Sequence, residues 1–267
     1  MKQCTVLGGQ GYIGRHLVQH LLAQGWTCHV PKRGDETYLL GELGTVFYCV
    51  GLTADFRTRP MDTVEAHVGL LQRVLREAHF ERLVYLSSTR VYLAAANTDE
   101  DQALHVLPQD PDDIYKLSKL MGESLALNSG RPCVVARLSN VVGGNAGNAE
   151  SFVYSLLKDA YQGRVVLRSD PQTAKDYIHI DDVVGLLQRV AQGSKQRIYN
   201  FASGVQVTHA QWLQRIVQAT GCEYEVVPSA PHHAYMPIHV ERIRDEFDFR
   251  PRATLEALCT MTPPSQI

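Results

Sequence analysis

The chain begins with a short apolar run that leads into a helical pattern of apolar residues. Gln3 to Leu7 is mostly apolar and is followed by Gly8. Apolar side chains then recur at helical spacing from Ile13 to Leu22, and Gly25 ends this pattern. The order predicts a β-strand, a glycine-rich turn and an α-helix.

The same alternation continues along most of the chain. Further strands are predicted at residues 26–31, 46–50, 83–86, 133–138 and 198–201, with helices at residues 61–78, 113–128 and 181–192. Asp113 is expected to cap the helix that starts there. Several strands are uninterrupted apolar runs, which is typical of strands covered by helices on both faces. The pattern therefore predicts an α/β fold with a doubly wound parallel sheet.

The alternation weakens from about residue 145 onward. Residues 145–175 and 204–267 interleave with the last sheet elements and predict a smaller lobe, beside a sheet domain of residues 1–144 plus 176–203. Within the lobe, Thr208 and Gln211 have the spacing of a capping box for a helix that ends near Ala219. Residues 250–261 suggest a final short helix.

Composition and charge narrow the classes of function. The 267 residues include 26 basic and 28 acidic side chains, so the net charge is −2 and the chain is not expected to bind nucleic acid. A hydrophobic content of 45% is enough to bury a sizeable core. The longest apolar run is far shorter than the ~20 residues of a membrane helix. No signal-peptide pattern opens the chain, so we expect no membrane partner and a cytoplasmic location.

The six cysteines lie far apart without a CxxC spacing. This distribution predicts reduced, buried thiols rather than a disulfide framework or a metal site. His232 and His233 are adjacent and are expected on a loop, because no further ligand spacing accompanies them.

Three glycines occupy the predicted turn at the spacing GxxGxxG, namely Gly8, Gly11 and Gly14. In such a turn the first glycine permits a tight bend, and the second lets the backbone approach a pyrophosphate at the helix N-terminus. The third lets the helix pack closely on the strand. The pattern predicts a dinucleotide-binding turn.

The end of the second predicted strand bears on the choice of dinucleotide. Folds that prefer NAD usually place an acid there, where it holds the ribose 2′-hydroxyl. Lys32 and Arg33 stand at this point and could pair with a 2′-phosphate instead. We therefore expect NADP(H) to be preferred over NAD(H). Asp35 and Glu36 follow closely and keep NAD(H) as the alternative.

Tyr115 and Lys119 are spaced i and i+4, which places them one above the other on a helix face. A free tyrosine has a pKa of about 10, and a neighbouring ammonium favours its phenolate form. The same ammonium can hold a ribose hydroxyl. Ser88, at the end of a predicted strand, can donate to the substrate oxygen that Tyr115 protonates.

These residues and several further motifs resemble the extended short-chain dehydrogenase/reductase family, the NAD(P)-dependent sugar-nucleotide epimerases, dehydratases and reductases. The resemblance covers nearly the whole chain. Besides the glycine turn and the Tyr115–Lys119 pair, the matching motifs are LSSTRVY at residues 86–92, RLSNVVG at 137–143, KDYIHIDD at 175–182 and YNFASG at 199–204.

The resemblance implies a Rossmann sheet with a small C-terminal substrate-binding lobe, and hydride transfer between the nicotinamide and a sugar carbon. Tyr115 would be the acid/base, Lys119 would tune it and Ser88 would orient the substrate. Residues expected to contact the cofactor are Gly8, Gly11, Tyr12, Ile13, Gly14, Lys32, Arg33, Gly51, Tyr115, Lys119 and Leu138. Residues expected to contact the substrate are Ser88, Thr89, Asn140 and Lys175.

The resemblance also implies a class of substrate and an oligomeric state. The substrate would be a small molecule, a nucleotide sugar. The chain would form a homodimer through the helices at residues 61–78 and 113–128.

The sequence departs from the family pattern at points that bear on the reaction. Thr89 and Arg90 stand where the family's dehydratases have Asp-Glu, so dehydration is not expected. Lys175 replaces an arginine that the relatives use near the nucleotide. Residues 228–233 read PSAPHH where the relatives place a diphosphate-binding arginine, and Arg242 or Arg244 could substitute for it.

A further departure is a short connection between the second and third predicted strands. Residues 32–45 leave no room for the helix, strand and helix that the family has there, so the adenine side is expected to be open. Two alternatives to a sugar-nucleotide epimerase or reductase remain, the first because of the weak match at the diphosphate site and the second because some degenerate members of the family lack turnover. One is an NADPH-dependent reductase of a non-nucleotide carbonyl substrate. The other is a cofactor-bound regulator without turnover.

Overall fold

A computed structural model of the protein describes residues 2–35, 37–53, 55–144 and 151–261, and it contains a six-stranded parallel sheet. In chain order the strands are β1 (Gln3–Leu7), β2 (Thr27–His29), β3 (Thr45–Tyr48), β4 (Arg82–Ser88), β5 (Cys133–Leu138), β6 (Asn140–Val142), β7 (Arg164–Leu167), β8 (Ala174–His179), β9 (Ile198–Phe201), β10 (Gln206–Thr208) and β11 (Glu223–Val226). The main sheet has the order β2-β1-β3-β4-β5-β9.

Eight α-helices and four shorter helical segments connect the strands of the described residues. The α-helices are α1 (Tyr12–Ala23), α2 (Pro60–Val64), α3 (Leu70–Glu77), α4 (Asp113–Asn128), α5 (Phe152–Tyr161), α6 (Ile180–Gln192), α7 (His209–Thr220) and α8 (Glu241–Phe247). A π-helical turn, Glu65–Gly69, joins α2 to α3. The 3-10 helices are Thr37–Leu40, Thr89–Tyr92 and Thr254–Thr260.

Helices cover both faces of the main sheet, which confirms the predicted α/β class. On one face α1 and α6 bury Leu17, Leu21 and Leu187 against the sheet. On the other face α3 and α4 bury Leu71 and Ala126. Each fully buried aliphatic side chain of this kind stabilises the fold by about 1.5–3 kcal/mol. The central strands β3, β4 and β5 are mostly apolar because neither of their faces meets water.

The main sheet is short on the side of β2. Between β2 and β3 the described residues form the 3-10 helix Thr37–Leu40 and add no strand to this sheet. β2 is therefore an edge strand, and the carboxyl end of this side of the sheet carries little covering chain. The described residues of this connection thus lack the helix, strand and helix of the family pattern, as the sequence predicts, and the opening on the adenine side stays a prediction.

A second group of elements lies beyond β5. The strands β10, β8 and β6 form one small sheet and β11 and β7 another, and Tyr154, Tyr177 and Trp212 lie in a separate apolar cluster. The capping box is present, with Thr208 as the N-cap residue of α7 and Gln211 in the first turn of this helix. The division into residues 1–144 plus 176–203 and 145–175 plus 204–267 stays a prediction, and residues 145–150 and 262–267 lie outside the described residues.

The final short helix predicted over residues 250–261 is confirmed as the 3-10 helix Thr254–Thr260. Two local expectations need correction. Asp113 does not cap α4: its carboxylate accepts a hydrogen bond from the Leu107 backbone N–H at 2.8 Å and pairs with Lys116 at 3.0 Å. All six cysteines are free, but Cys259 is exposed, because the last helix lies at the protein surface.

None of the helices in the described part of the chain combines the length and the apolar character that crossing a membrane requires.

Candidate active site

The glycine turn between β1 and α1 has the close approaches that its sequence predicts. Gly8 has a φ of +76°, and a Cβ there would lie 2.9 Å from the carbonyl carbon of Cys49. A Cβ on Gly14 would overlap the carbonyl oxygen of Gly8. These two positions therefore need glycine for the strand and the helix to come together.

The N-terminus of α1 is open at this turn. Gly11 is the N-cap residue and supplies no side-chain hydrogen bond to the first turn. The first N–H groups of a helix have no partner within the helix and carry partial positive charge. They face a cavity lined by Gly11, Tyr12, Ile13 and Gly14. The residues present thus fit the pyrophosphate of a dinucleotide.

This cavity has a volume of about 1020 Å³ and lies at the carboxyl ends of the main strands. It gathers most of the residues that the sequence predicts for the cofactor and the substrate. Besides the α1 residues, those are Gly51, Ser88, Thr89, Tyr115, Lys119, Leu138, Asn140 and Lys175. The volume suits a ligand of cofactor size.

Tyr115 lies on α4 and is buried, with 6% of its surface exposed. Burial raises the pKa of Tyr115, while hydrogen bonding to Ser88, the charge of Arg90 and hydrogen bonding to Thr53 lower it. The sequence predicts that Lys119 favours the phenolate, but the groups that lower this pKa are Ser88, Arg90 and Thr53, and burial outweighs them. The phenol is therefore protonated at neutral pH.

Lys119 lies one helical turn from Tyr115, with its Nζ 6.0 Å from the centre of the tyrosine ring. Its ammonium donates to the carbonyl oxygen of Leu86 at 2.8 Å. Burial lowers the pKa of Lys119 to about 7, although the charge of Glu123 raises it.

His67 is a buried residue at this site that the sequence reasoning did not single out. It lies in the π-helical turn Glu65–Gly69, and its Nδ1 is 2.8 Å from the Ser118 hydroxyl. Ser118 donates onward to the backbone oxygen of Tyr115, so the His67 Nδ1–H is the donor to Ser118. The Nε2 accepts a hydrogen bond from the Leu52 N–H at 3.3 Å. Burial and the charge of Lys119 lower the pKa of His67 to about 2, so the ring is neutral.

Thr53 is a second residue that the sequence reasoning missed. It follows Gly51 in the loop after β3 and lines the cavity beside Tyr115. Its position at the carboxyl end of a central strand is the signal that could have indicated it.

A buried ion pair fixes α4 to the strands beneath it. Arg137 on β5 donates to Glu123 on α4, with its Nη2 2.6 Å from Oε2. Ser87, at the end of β4, donates to the same carboxylate. Together these contacts set the distance between α4, which carries Tyr115, and the end of β4, which carries Ser88.

Asn140 and Lys175, two of the residues predicted to contact the substrate, also line the cavity. Asn140 donates to the backbone oxygen of Asp176 at 2.8 Å. The Lys175 ammonium lies 4.7 Å from the centre of the Tyr235 ring and 6.0 Å from that of Phe152. Burial and the charge of Arg90 lower the pKa of Lys175. This part of the cavity wall therefore combines the apolar faces of two aromatic rings with the buried cation of Lys175.

Lys32 and Arg33 do not line this cavity. Both are exposed on the loop after β2, toward the open edge of the sheet. The Asp35 carboxylate accepts hydrogen bonds from the backbone N–H and the hydroxyl of Thr37, which lowers the pKa of Asp35. Glu36 lies outside the described residues.

The two arginines expected to substitute at a diphosphate site are also outside the cavity lining. Arg242 pairs with Glu100 and Asp101. Arg244 pairs with Glu241 and Asp245 on the surface of α8. Both are held by acids, which explains why neither extends to the cavity. His232 contacts Asp170 rather than the cavity.

Comparison with known proteins adds to this geometry. The model of the NAD dependent epimerase/dehydratase family matches residues 4–202. A relative, dTDP-6-deoxy-L-talose 4-dehydrogenase (NAD(P)(+)) of Kitasatospora kifunensis, is 27% identical over 94% of this chain and 91% of its own length.

Solved structures share the fold over nearly the full chain. MoeE5 in complex with UDP-glucose and NAD has a TM-score of 0.81 at 24% identity, covering 97% of this chain and 96% of its own. The NDP-hexosamine 5,6-dehydratase TunA, involved in tunicamycin biosynthesis, has a TM-score of 0.79 at 20% identity, covering 97% and 98%. The fold thus occurs in a dehydratase too. With the family match spanning most of its length, the chain belongs to the NAD dependent epimerase/dehydratase family.

Proposed function

We propose that the protein is an NADP(H)-using oxidoreductase that moves a hydride to or from a carbon of a nucleotide-linked sugar, as a reductase or an epimerase. The observation that carries this proposal is the grouping of Tyr115, Ser88 and Lys119 in the same cavity as the open N-terminus of α1. The proposed acid/base residues and the proposed cofactor-binding turn therefore line the same cavity.

Tyr115 is the proton donor and acceptor in this proposal. In the reducing direction its hydroxyl gives a proton to the carbonyl oxygen of the substrate, and in the oxidising direction it takes the proton back. The nicotinamide, when bound, supplies or accepts the hydride at the same carbon. Ser88 donates to the reacting oxygen and holds it near the phenol. A phenol that is protonated at neutral pH suits the reducing direction.

Lys119 has two roles in this proposal, which are to bind the cofactor and to stabilise the phenolate of Tyr115. As an ammonium it can hold a ribose hydroxyl and stabilise the phenolate left on Tyr115 after proton transfer. Its low pKa follows from burial. A polar ligand that accepts a hydrogen bond from Nζ favours the charged form.

NADP(H) is supported by the loop after β2. Asp35 already accepts two hydrogen bonds from Thr37, so its carboxylate is engaged. Lys32 and Arg33 are exposed on the same loop and can pair with a 2′-phosphate. The name of the Kitasatospora relative includes both NAD and NADP.

Dehydration is not part of this proposal. Thr89 and Arg90 provide no carboxylate beside Ser88. The acids that line the cavity are Asp55 and Asp176. Asp176 accepts from the N–H groups of Ser203 and Gly204, at 3.0 and 2.7 Å, and Asp55 pairs with Arg59. Both acids thus already have partners, which supports a reaction without dehydration.

A nucleotide sugar is the proposed substrate because the cavity exceeds what a nicotinamide and a monosaccharide fill, and because MoeE5 was solved with UDP-glucose. A second candidate is a non-nucleotide carbonyl substrate. The observation that favours it is the engagement of Arg242 and Arg244 by acids away from the cavity.

We also propose a homodimer built from α2, α3 and α4. Met61 on α2 is 81% exposed and Met121 on α4 is 54% exposed. Exposed apolar side chains on neighbouring helices are typical of an interface between copies. The free cysteines fit the reducing cytoplasm, where we place the protein.

The test of function is incubation with NADPH or NADH beside a panel of sugar nucleotides and 4-keto sugars, followed at the nicotinamide absorbance band and by product mass. Net oxidation of NADPH supports a reductase, and isomerisation without net oxidation supports an epimerase. Turnover only of ketones without a nucleotide supports the second candidate. Cofactor binding without turnover of any of these substrates supports a non-catalytic regulator and contradicts the proposal.

A further inference from the structure

Arg90 holds an unusual position for an arginine. It follows Ser88 by two residues, in the 3-10 helix Thr89–Tyr92, and it lines the cavity. Its guanidinium carbon lies 4.9 Å from the centre of the Phe56 ring and 5.6 Å from that of Tyr115. Among the residues that the structure describes, no acid lies within ion-pair distance of it.

The aromatic faces orient this guanidinium. Phe56 is 1% exposed, so its ring is a fixed platform. A guanidinium stacked on a ring keeps its N–H groups directed outward in the plane of the fork. The stack therefore leaves the hydrogen-bonding edge of Arg90 available for a ligand.

An acidic residue near this cluster already has an ion-pair partner. Asp112 pairs with Arg57, whose guanidinium carbon lies 4.4 Å from the centre of the same Phe56 ring. Hydrogen bonding to Arg57 and the charge of Arg90 lower the pKa of Asp112. Of the two guanidinium groups stacked on Phe56, the one of Arg57 thus has a carboxylate partner, and the one of Arg90 has no ion pair among the described residues.

Lys175 adds a second cation to the same cavity. The charge of Arg90 contributes to the low pKa of Lys175, so the two cations interact. The aromatic rings of Tyr235 and Phe152 hold the ammonium. Within the described ranges Lys175 also lacks an ion-pair partner. Asp55 and Asp176 also line this cavity, but Asp55 pairs with Arg59 and Asp176 accepts from the backbone of Ser203 and Gly204. Arg90 and Lys175 therefore repel each other, and an anionic ligand between them relieves that repulsion.

We infer that the cavity takes a substrate with a carboxylate on the carbon next to the reacting one, and that Arg90 binds this carboxylate through its fork. This inference rests on the proposed function, since it assumes that Tyr115 and Ser88 hold the reacting oxygen. Arg90 lies over the Tyr115 ring, so a carboxylate on its edge is beside the substrate oxygen at the phenol. Bidentate pairing then fixes which of the hydroxyls or carbonyls of the substrate faces Tyr115.

The test is calorimetric titration of the NADPH-saturated protein with two matched pairs of ligands. One pair is UDP-glucuronic acid and UDP-glucose, and the other is 3-hydroxybutyrate and its amide. The wild type is expected to bind the acid at least about tenfold more tightly than the neutral partner, as a charge-assisted hydrogen-bonded pair gives. Arg90→Gln is expected to remove this preference and to leave the affinity for the neutral partner within about threefold.

Arg57→Gln is the matched control, because Arg57 lies over the same ring but is already paired. It is expected to keep the preference for the acid. Thermal melting of each variant shows whether it folds, and Arg90→Lys, which keeps the charge but not the fork, is expected to keep part of the preference.

The outcomes separate this inference from the proposed function. Equal binding of acid and neutral ligand by the wild type, or a preference that survives in Arg90→Gln, contradicts the carboxylate site and leaves the proposed function intact. A preference for 3-hydroxybutyrate without binding of either sugar nucleotide supports the site and contradicts the nucleotide-sugar substrate. Binding of none of the four ligands contradicts both.

Discussion

The imidazole of His67 and the hydroxyl of Ser118 are hydrogen-bonded at 2.8 Å, and this bond ties the π-helical turn Glu65–Gly69 to the helix that carries Tyr115 and Lys119. On its other side the same ring accepts from the Leu52 N–H. One buried, neutral side chain thus sets the relative position of two walls of the proposed active site.

Replacing His67 with Phe is expected to leave the Leu52 N–H and the Ser118 hydroxyl without their partner. The loss should destabilise the fold by about 2–4 kcal/mol, measured by urea unfolding. The KM for cofactor should rise more than kcat falls, because Gly51 and Leu52 line the cavity. His67→Asn keeps a donor toward Ser118 and should recover part of both effects. An unchanged KM in a folded His67→Phe variant would show that this contact is structural only.

Tyr115→Phe removes the proposed acid/base and little else, since the ring stays. Turnover should fall by at least about 100-fold, as the loss of general acid–base catalysis gives. NADPH binding, followed by quenching of protein fluorescence, should change little. Retention of most of the turnover rate would contradict the assignment of Tyr115.

Lys119→Met tests the cost of burying an ammonium. Burial moves the pKa of Lys119 from its usual 10.5 to about 7. Between these values the unfolded chain holds a proton that the folded chain has lost, so stability rises with pH across this window. Below about pH 7 the full cost of the buried charge is present. Lys119→Met should therefore raise Tm at pH 6 by about 5 °C or more and raise it less at pH 9.

The control for that measurement is Lys158→Met on the exposed face of α5, which should leave Tm nearly constant at both pH values. A Tm gain of Lys119→Met that is equal at pH 6 and pH 9 would contradict the buried-charge explanation.

Arg137→Met breaks the buried ion pair with Glu123. A carboxylate left buried without its partner costs about 3–5 kcal/mol, which should appear in urea unfolding. Arg164→Met, which breaks an exposed pair with Glu225, should cost less than about 1 kcal/mol. The double variant Arg137→Met with Glu123→Leu should recover much of the loss. Equal costs for the buried and the exposed pair would contradict this account.

Lys32→Glu and Arg33→Glu test the choice of cofactor. Each should weaken NADPH binding by about tenfold through the loss of a charge-assisted contact with the 2′-phosphate, and NADH binding should change little. Lys158→Glu serves as a control for net charge. Parallel weakening of NADPH and NADH would indicate a general electrostatic effect rather than recognition of the phosphate.

The main elements were predictable because their signals are local. The glycines at 8, 11 and 14 and the i, i+4 pair Tyr115 and Lys119 need only the strand-turn-helix order and the helical period to be placed. Capping by Thr208 was correct for the same reason. Each of these relationships spans only a few residues, so the chain's own spacing encodes it.

The missed features depend on contacts between distant segments. His67 is buried because the π-helical turn directs it toward Ser118, 51 residues away. The stacking of Arg90 on Phe56 joins two loops in the same way. Asp113 was misjudged because Leu107, in the preceding loop, competes for its carboxylate. The hydrophobic periodicity of a single helix or strand does not indicate which distant segment it will contact.

The position of β2 at the edge of the main sheet bears on how long a bound cofactor stays. Since the described residues between β2 and β3 form no element besides the 3-10 helix Thr37–Leu40, we expect few groups to enclose an adenine there. Since affinity differences between related complexes lie mostly in the dissociation rate, a half-enclosed dinucleotide is expected to leave quickly. The cofactor would then exchange with the surrounding pool in each turnover, as a second substrate rather than a resident group.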